Sequence, residues 1–401
     1  MMAMLLIGSY TQNKLDGLGH VPGERGAGVT FVEVTSSSSS SSLSSPSMAF
    51  GAARKLSIPP GQGMLVNPTY LACRDRKLYV VEETYDEEKD SGVCVFDLSE
   101  SGPAAFKQRV GGLGGKAGCH LLLPSSSPSD PSALIFVSCY TGPFSLLRLG
   151  RKSDCEAPTY EHIDLNIHGR FPGKNAARQE MSHPHCSCIL KKFTYVADLG
   201  SDTIYGVQTE HLVMPKDESR EVFAALRLPG GSGPRHMAAH PSLGIIYILN
   251  ELLSTVVVAR QMLDGKLEPL GSTLSTLRKE DARAGDDTKT AAAAIRVHPT
   301  GKFLYCSNRT FAGDGVGLIA LYRIRDEDGL LDFVDTFSSL GKTPRDILIS
   351  PDGCTMFVAN QDSGNVAILS IDIDDGRLSP LGQQFRTGSP CCLAFIPENI
   401  I

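Results

Sequence analysis

Hydrophobic runs along this chain are short and come in pairs. Ile245-Ile-Tyr-Ile-Leu249, Phe303-Leu-Tyr-Cys306 and Thr355-Met-Phe-Val-Ala359 each follow an apolar arm and a turn, namely Pro241-Ser-Leu-Gly244, Pro299-Thr-Gly301 and Pro351-Asp-Gly353. Proline fixes one φ of such a turn, and glycine admits the positive φ that a tight reversal demands. Short runs rich in β-branched and aromatic residues have the composition of strands buried on both faces. Each pair therefore predicts a β-hairpin.

Polar residues close the pairs at a fixed distance. Arg235 and Glu251, Ala293 and Arg309, and Arg345 and Gln361 each stand sixteen positions apart. Antiparallel arms fold back on one another, so the members of each couple are expected side by side at one hairpin end.

Looser copies extend the series. Asn67-Pro-Thr-Tyr-Leu-Ala72 leads to Tyr79-Val-Val-Glu-Glu83, Gly118-Cys-His120 to Ile135-Phe-Val-Ser-Cys-Tyr140, and His183-Pro-His185 to Tyr195-Val-Ala-Asp-Leu199. Ser389-Pro-Cys-Cys-Leu-Ala-Phe395 opens a seventh copy that ends after one strand. A second pair of strands follows several hairpins, as in Ser254–Ala259 with Gly265–Leu267, Gly317–Ile324 with Gly329–Leu331, and Asn365–Ile371 with Gly376–Leu378. Four antiparallel strands repeating at this period make one blade of a propeller. The expected fold is all-β: a seven-bladed β-propeller with residues 1–401 as one domain. Met4–Tyr10 and Gly28–Val34 are the runs left to complete the seventh blade, which closes the ring with N- and C-terminal strands and removes free sheet edges.

Composition narrows the functional classes. A net charge of −6 argues against a general nucleic-acid or anionic-membrane surface. No apolar run approaches a membrane span, and Met1–Ile7 lacks the basic start of a secretion signal and reads as a strand. Eleven cysteines without framework spacing, Cys391-Cys392 among them, predict reduced thiols in a cytoplasmic protein. The serine tract 35–47 predicts a disordered loop insertion, and Ser125–Asp130 and Arg278–Lys289 predict solvated insertions. The sequon Asn308-Arg-Thr310 falls in a core hairpin and is expected to remain unmodified.

In a propeller the innermost strands line a central channel, and hairpin starts and ends share one mouth of it. The starts bring Asn67, His120, His183, His185, Arg235, His236, Arg345 and Asp346; the ends bring Glu83, Tyr140, Asp198, Asn250, Glu251, Asn308, Arg309, Asn360 and Gln361. Such a set predicts a cleft for a small polar anion. Planar guanidinium forks suit carboxylate or phosphate, while Glu251 and the histidines can move protons near neutral pH. Glu251 or His185 would activate water and an arginine would stabilise the resulting oxyanion. Arg235 and Glu251 also fit an ion pair that merely braces a blade. His240 and His298 precede turns at the far mouth and read as packing residues.

Other chemistries find little support. His183-Pro-His185-Cys186-Ser-Cys188 offers metal-type donors, but strand alternation sets the histidines on one side and the cysteines on the other, so no metal is expected. Neither a glycine-rich phosphate loop nor a Gly-x-Ser-x-Gly turn is present, which leaves serine-based covalent catalysis unsupported.

His183-Pro-His185 with Ala197-Asp-Leu-Gly-Ser-Asp202, Gly233-Pro-Arg-His236 with Leu249-Asn-Glu251, Ile295-Arg-Val-His-Pro299 with Phe303–Arg309, and Thr343-Pro-Arg-Asp346 with Val358–Ser363 resemble the lactonase family of seven-bladed propellers. The resemblance runs from Asn67 to Phe395. It implies hydrolysis of a sugar-acid lactone, 6-phosphogluconolactone to 6-phosphogluconate in the pentose phosphate pathway, as a carboxylic ester hydrolase without cofactor. Another branch cyclises carboxy-cis,cis-muconate; its catalytic His, two Arg and Glu fall here on His185, Arg235, Arg309 and Glu251. His183, His236, Arg345, Glu83, His120, Asn308 and Gln361 are expected to bind substrate. Cys139 and Glu82 stand where the family usually has Asn. Asn250-Glu251 and Ser254-Thr-Val256 look more like the phosphogluconolactonase branch. A muconate cyclase and a non-catalytic interaction scaffold remain the alternative readings, and a closed ring has no obligatory protein partner.

Overall fold

The computed structural model describes residues 2–11, 28–37, 47–61, 63–85, 89–98, 104–124, 133–149, 159–163, 171–213, 221–278, 280–281, 290–311 and 315–396. Seven antiparallel sheets carry nearly all of them, with one short helix at Thr209–Val213. The inner strands are Pro68–Arg74, Lys116–Leu122, Pro184–Leu190, Pro234–Ala239, Thr290–Val297, Pro344–Ile349 and Ser389–Ile396, for blades 1 to 7. Each packs beside the inner strand of the next blade, and that of blade 7 beside that of blade 1. Blade 7 pairs Ser389–Ile396 with Met2–Tyr10, which pairs with Val29–Ser37, so strands from both ends share one sheet. The seven-bladed propeller expected from the hairpin period is the fold observed.

Burial explains why the second strands are apolar on both sides. Seven separate cores lie between blades, each built from two neighbours. Tyr195 and Ile204 of blade 3 pack with Ile248 and Val257 of blade 4, whereas Tyr247 and Val258 turn to the other side and meet Leu304 and Ala320 of blade 5. Polar ties repeat across these seams. Tyr195 Oη donates to Gly265 O of the next blade at 2.8 Å, Tyr247 Oη to Gly329 O at 2.9 Å, and Tyr305 Oη to Gly376 O at 2.7 Å. His240 Nε2 lies 3.0 Å from Gly301 O and His298 Nε2 2.9 Å from Gly353 O, so both histidines pack turns as expected.

One irregularity recurs in every inner hairpin. Pairing slips at the same level in all seven, which leaves Thr69, Cys119, His185, Arg235, Ala293 with Ala294, Arg345 and Cys391 as the extra residues of β-bulges. A bulge puts two residues against one and re-aims a side chain. Proline immediately precedes the bulged residue at positions 68, 184, 234, 344 and 390, where a missing N–H does least harm. Just above, one hydrogen bond closes four of the hairpins: Glu83 N to Asn67 O, Leu199 N to His183 O, Glu251 N to Gly233 O and Gln361 N to Thr343 O.

The insertions differ from expectation at their edges. Strand pairing carries through Ser37 and resumes at Ser47, so the loop is narrower than 35–47, and 38–46 lie outside the described residues. Positions 125–130, 279 and 282–289 also lie outside them. Arg278 and Asp281 are not free-standing: they engage each other, Asp335 and Thr336.

Candidate active site

Bulged residues and hairpin-end residues form two stacked rings at one mouth of the channel, and the chemistry is concentrated where blades 3, 4 and 5 meet. Gly233, held at φ 61°, donates its N–H to Asp202 Oδ1 at 2.7 Å, and Gly231 does so to Asp202 Oδ2 at 2.8 Å. That clamp presents Pro234-Arg235. Arg235 Nε then lies 2.9 Å from Glu251 Oε2, without the alignment of a hydrogen bond, while its Nη1 donates to Ala293 O. Arg309 Nη2 reaches the same Oε2 at 3.1 Å and Ala292 O at 3.1 Å, with Nε on Ala291 O at 3.3 Å. Arg309 thus pairs with Ala291 rather than with the Ala293 that the sixteen-residue spacing predicts, because the blade 5 bulge carries both Ala293 and Ala294.

A third arginine completes the cluster. Arg178 Nη2 lies 2.7 Å from Glu251 Oε1 and 3.1 Å from Tyr140 Oη. It comes from the segment ahead of blade 3, which is pinned by Gln179: Nε2 donates to Leu199 O at 2.9 Å, and Oε1 accepts from Asn175 N at 3.0 Å. Gly200 lets this segment pass, since a Cβ there would stand 1.8 Å from Met181 O. Sequence reading missed Arg178 because it sits outside the hairpin repeat.

Glu251 is almost fully enclosed, at 2 % side-chain exposure. Burial alone would raise its pKa, but Arg309, Arg178 and Arg235 together hold it well below the usual carboxylate range. A carboxylate so bound is a poor proton acceptor at neutral pH and a good anchor for guanidinium groups. Burial and its cationic neighbours Arg309 and Arg345 bring Arg235 down to about 10 against the pull of Glu251.

The histidines divide by surroundings. His185, His236 and His120 form a file of edge-to-face rings, 5.4 Å and 5.9 Å between centroids. His236 Nε2 lies 3.2 Å from Arg235 Nη1, and because arginine only donates, that nitrogen is the acceptor. His185 Nδ1 is buried without a partner among the described residues. Burial, then the field of Arg235, depresses the pKa of both far below the usual imidazole value. Both rings are therefore neutral at pH 7, and the same burial and field make each a weaker base than a free imidazole until a bound anion offsets them.

Not every expected residue lines the cleft. The blade 2 bulge is Cys119, which leaves His120 deeper, against Tyr70 with centroids 4.3 Å apart and Cys186 Sγ at 3.5 Å; burial pushes its pKa to about 3. His183 stacks on Tyr140 with centroids 4.1 Å apart, its Nδ1 2.7 Å from Tyr140 O and its Nε2 3.1 Å from Glu180 Oε1, so it supports the site from behind. Asn308 is a brace: Nδ2 donates to Thr276 O at 3.0 Å and Oδ1 accepts from Thr276 Oγ1 at 2.7 Å. The bulge also upsets the simple alternation assumed for His185 and Cys186, since pairing resumes at Cys186 opposite Ala197. Among the described residues no group of three or more His, Cys, Asp or Glu is arranged to hold a metal.

Arg345 and Glu83 occupy the facing side. The Arg345 guanidinium lies 5.5 Å from the Tyr10 ring centroid, and Tyr10 Oη donates to Glu83 Oε2 at 2.7 Å. Burial works against the Arg345 charge, but Tyr10 and Glu83 more than offset it and raise its pKa. Gln361 keeps its Oε1 buried and without a partner among the described residues, while Nε2 donates to Asp362 at 3.2 Å. Glu82, the departure noted above, is bound by Arg109 Nε at 2.7 Å and belongs to blade 1 itself. A small cavity on the axis is lined by Thr69, Arg235, His236, Arg345, Asp346 and Cys391, among others. Asp346 braces its floor, accepting from Arg296 Nη2 at 2.7 Å and from Leu393 N at 2.9 Å.

Nearly the whole ring, and with it this mouth, falls within a match over residues 5–395 to the family described as lactonase, 7-bladed beta-propeller. The chain belongs to that family. It is 26 % identical over 352 residues to the 6-phosphogluconolactonase of Bacillus subtilis, covering 86 % of this chain and 92 % of the relative. A 6-phosphogluconolactonase of Formosa agariphila is 32 % identical over 208 residues, 51 % of this chain and 56 % of its own. Among solved structures, the periplasmic gluconolactonase of Pseudomonas aeruginosa superposes with a TM-score of 0.74 at 22 % identity, covering 99 % of both chains, a likeness of fold. No helix among the described residues is long and apolar enough to cross a membrane.

Proposed function

We propose that this lactonase-family chain hydrolyses 6-phosphogluconolactone to 6-phosphogluconate in the cytoplasm, as a carboxylic ester hydrolase in the pentose phosphate pathway. The observation that carries the reading is the convergence of Arg178, Arg235 and Arg309 on Glu251 beside the neutral His185, in a family whose relatives bear that activity in their names. Glu251 anchors the arginines, and His185 is the base. Its free Nδ1 favours it over His236, whose Nε2 already accepts from Arg235.

The chemistry follows from these roles. His185 takes a proton from water as the hydroxyl oxygen bonds to the lactone carbonyl carbon. Charge then develops on the carbonyl oxygen, where Arg235, at the cavity wall, and Arg309 stabilise it. Collapse breaks the bond to the ring oxygen, which takes the proton back from His185, and the new carboxylic acid ionises. An anionic substrate offsets part of the field of Arg235 and so raises the proton affinity of His185 when it is needed.

Proton release on mixing with freshly prepared 6-phosphogluconolactone, gluconolactone or carboxy-cis,cis-muconate tests the proposal once spontaneous ring opening is subtracted. A rate confined to the lactones, highest for the phosphorylated one, is expected. Turnover of the muconate alone, or of none, would overturn it.

A further inference from the structure

We infer that Arg178 is the residue that recognises the negatively charged arm of the substrate, and thereby sets the preference for a phosphorylated over an unphosphorylated lactone. The inference rests on the lactonase reading above and deepens it. Three guanidinium groups surround one carboxylate, so the cluster carries two uncompensated positive charges in a site of low dielectric. An anion is the natural complement.

The three arginines are not equally placed to meet it. Arg235 and Arg309 have side chains only 3 % and 8 % exposed, and both are committed to backbone carbonyls of Ala291 to Ala293. Arg178 holds no backbone carbonyl. Its Nη2 is shared between Glu251 Oε1 and Tyr140 Oη, the remaining nitrogens make no hydrogen bond to the described residues, and the side chain is 24 % exposed. Glu180, two positions on, lies against His183 instead. Arg178 is also the one cluster member delivered by a connecting segment rather than by the blade repeat, so it can be set for a particular substrate arm without disturbing the ring. With Nη2 spent on Glu251 and Tyr140, the Nε and Nη1 donors of Arg178 remain for single charge-assisted hydrogen bonds to phosphate oxygens.

The test pairs turnover with binding. Arg178→Gln and Arg178→Lys are compared with the unaltered protein for KM and kcat on 6-phosphogluconolactone and gluconolactone, and by calorimetry with 6-phosphogluconate and gluconate. Loss of one charge-assisted contact predicts roughly a 10- to 100-fold rise in KM and in product Kd for the phosphorylated compounds in Arg178→Gln. Turnover of the unphosphorylated lactone should fall as well, because Arg178 also holds Glu251, so the assignment is read from the ratio: KM and product Kd should rise about tenfold more for the phosphorylated compounds, and Arg178→Lys should recover part of that difference. Equal losses on both compounds, or none, would overturn the assignment. An unaltered protein that opens neither lactone would instead overturn the underlying function, a different result from the same experiment.

Discussion

Arg178 Nη2 and Glu251 Oε1 lie 2.7 Å apart although 73 positions separate them in sequence. Their contact ties the segment ahead of blade 3 to the hairpin end of blade 4 and completes the coordination of a buried carboxylate. Two consequences follow, one for stability and one for chemistry.

Removing that carboxylate strands three guanidinium groups. Simple rim residues would tolerate truncation, but Glu251 is enclosed, and breaking a buried ion pair from one side costs about 3–5 kcal/mol. Glu251→Ala should therefore lose that much stability in urea denaturation along with lactonase activity. Glu251→Gln, which keeps the volume, should lose activity with a smaller drop in stability. Stability within about 0.5 kcal/mol of the parent for Glu251→Ala would refute the anchoring role.

The pH dependence of kcat/KM identifies the base. The pKa of His185 is driven well below its usual value by burial and by Arg235, so the ring stays neutral and active as pH falls from 8 to 6. A flat profile over that interval, with its acid limb below the ordinary imidazole pKa of about 6.5, is expected. His185→Gln should abolish this limb together with most of the rate. A limb centred near 7 in the unaltered protein contradicts the assignment.

Stability has its own acid limb. His120, His185 and His236 have folded pKa values lowered by burial, to about 3 for His120. The unfolded chain titrates them near 6.5, so below that pH it binds protons that the folded state refuses. Stability is then full above about 6.5 and falls as pH drops, by up to about 1.4 kcal/mol per pH unit for each ring. Denaturation free energies at pH 7.5, 6.5 and 5.5 should show the slope, and His120→Gln should remove about one third of it. No change of stability between 6.5 and 5.5 is the contrary result.

Seams between blades should weaken stepwise. Tyr195→Phe, Tyr247→Phe and Tyr305→Phe each delete one hydrogen bond to a glycine carbonyl of the next blade, and Tyr195→Phe also takes the acceptor from Gln261 Nε2. Each should cost about 1 kcal/mol, and the three changes should add, because they lie in different seams. Urea midpoints of single and triple variants check this.

The sequence made the ring legible because each blade reuses one hairpin, so the apolar runs and Pro–Gly turns repeat where the packing repeats. The pairing of Arg235 with Glu251 was legible for the same reason: both fall at fixed points of that hairpin. His120, His183 and Asn308 were misplaced because position at a strand end does not give side-chain direction once a bulge slips the register. The proline before five of the seven bulged residues is the signal that locates the slip. Arg178 had no such signal, since nothing in a connecting segment repeats and its partner is chosen only in three dimensions.

The most direct measurement of the central claim is the initial rate of 6-phosphogluconolactone opening, above the spontaneous rate, for the unaltered protein and for Arg309→Gln at equal concentration. Loss of a charged donor to the developing oxyanion should lower kcat by about 100- to 1,000-fold. An unaltered protein no faster than buffer, or an Arg309→Gln variant as fast as its parent, would contradict the account.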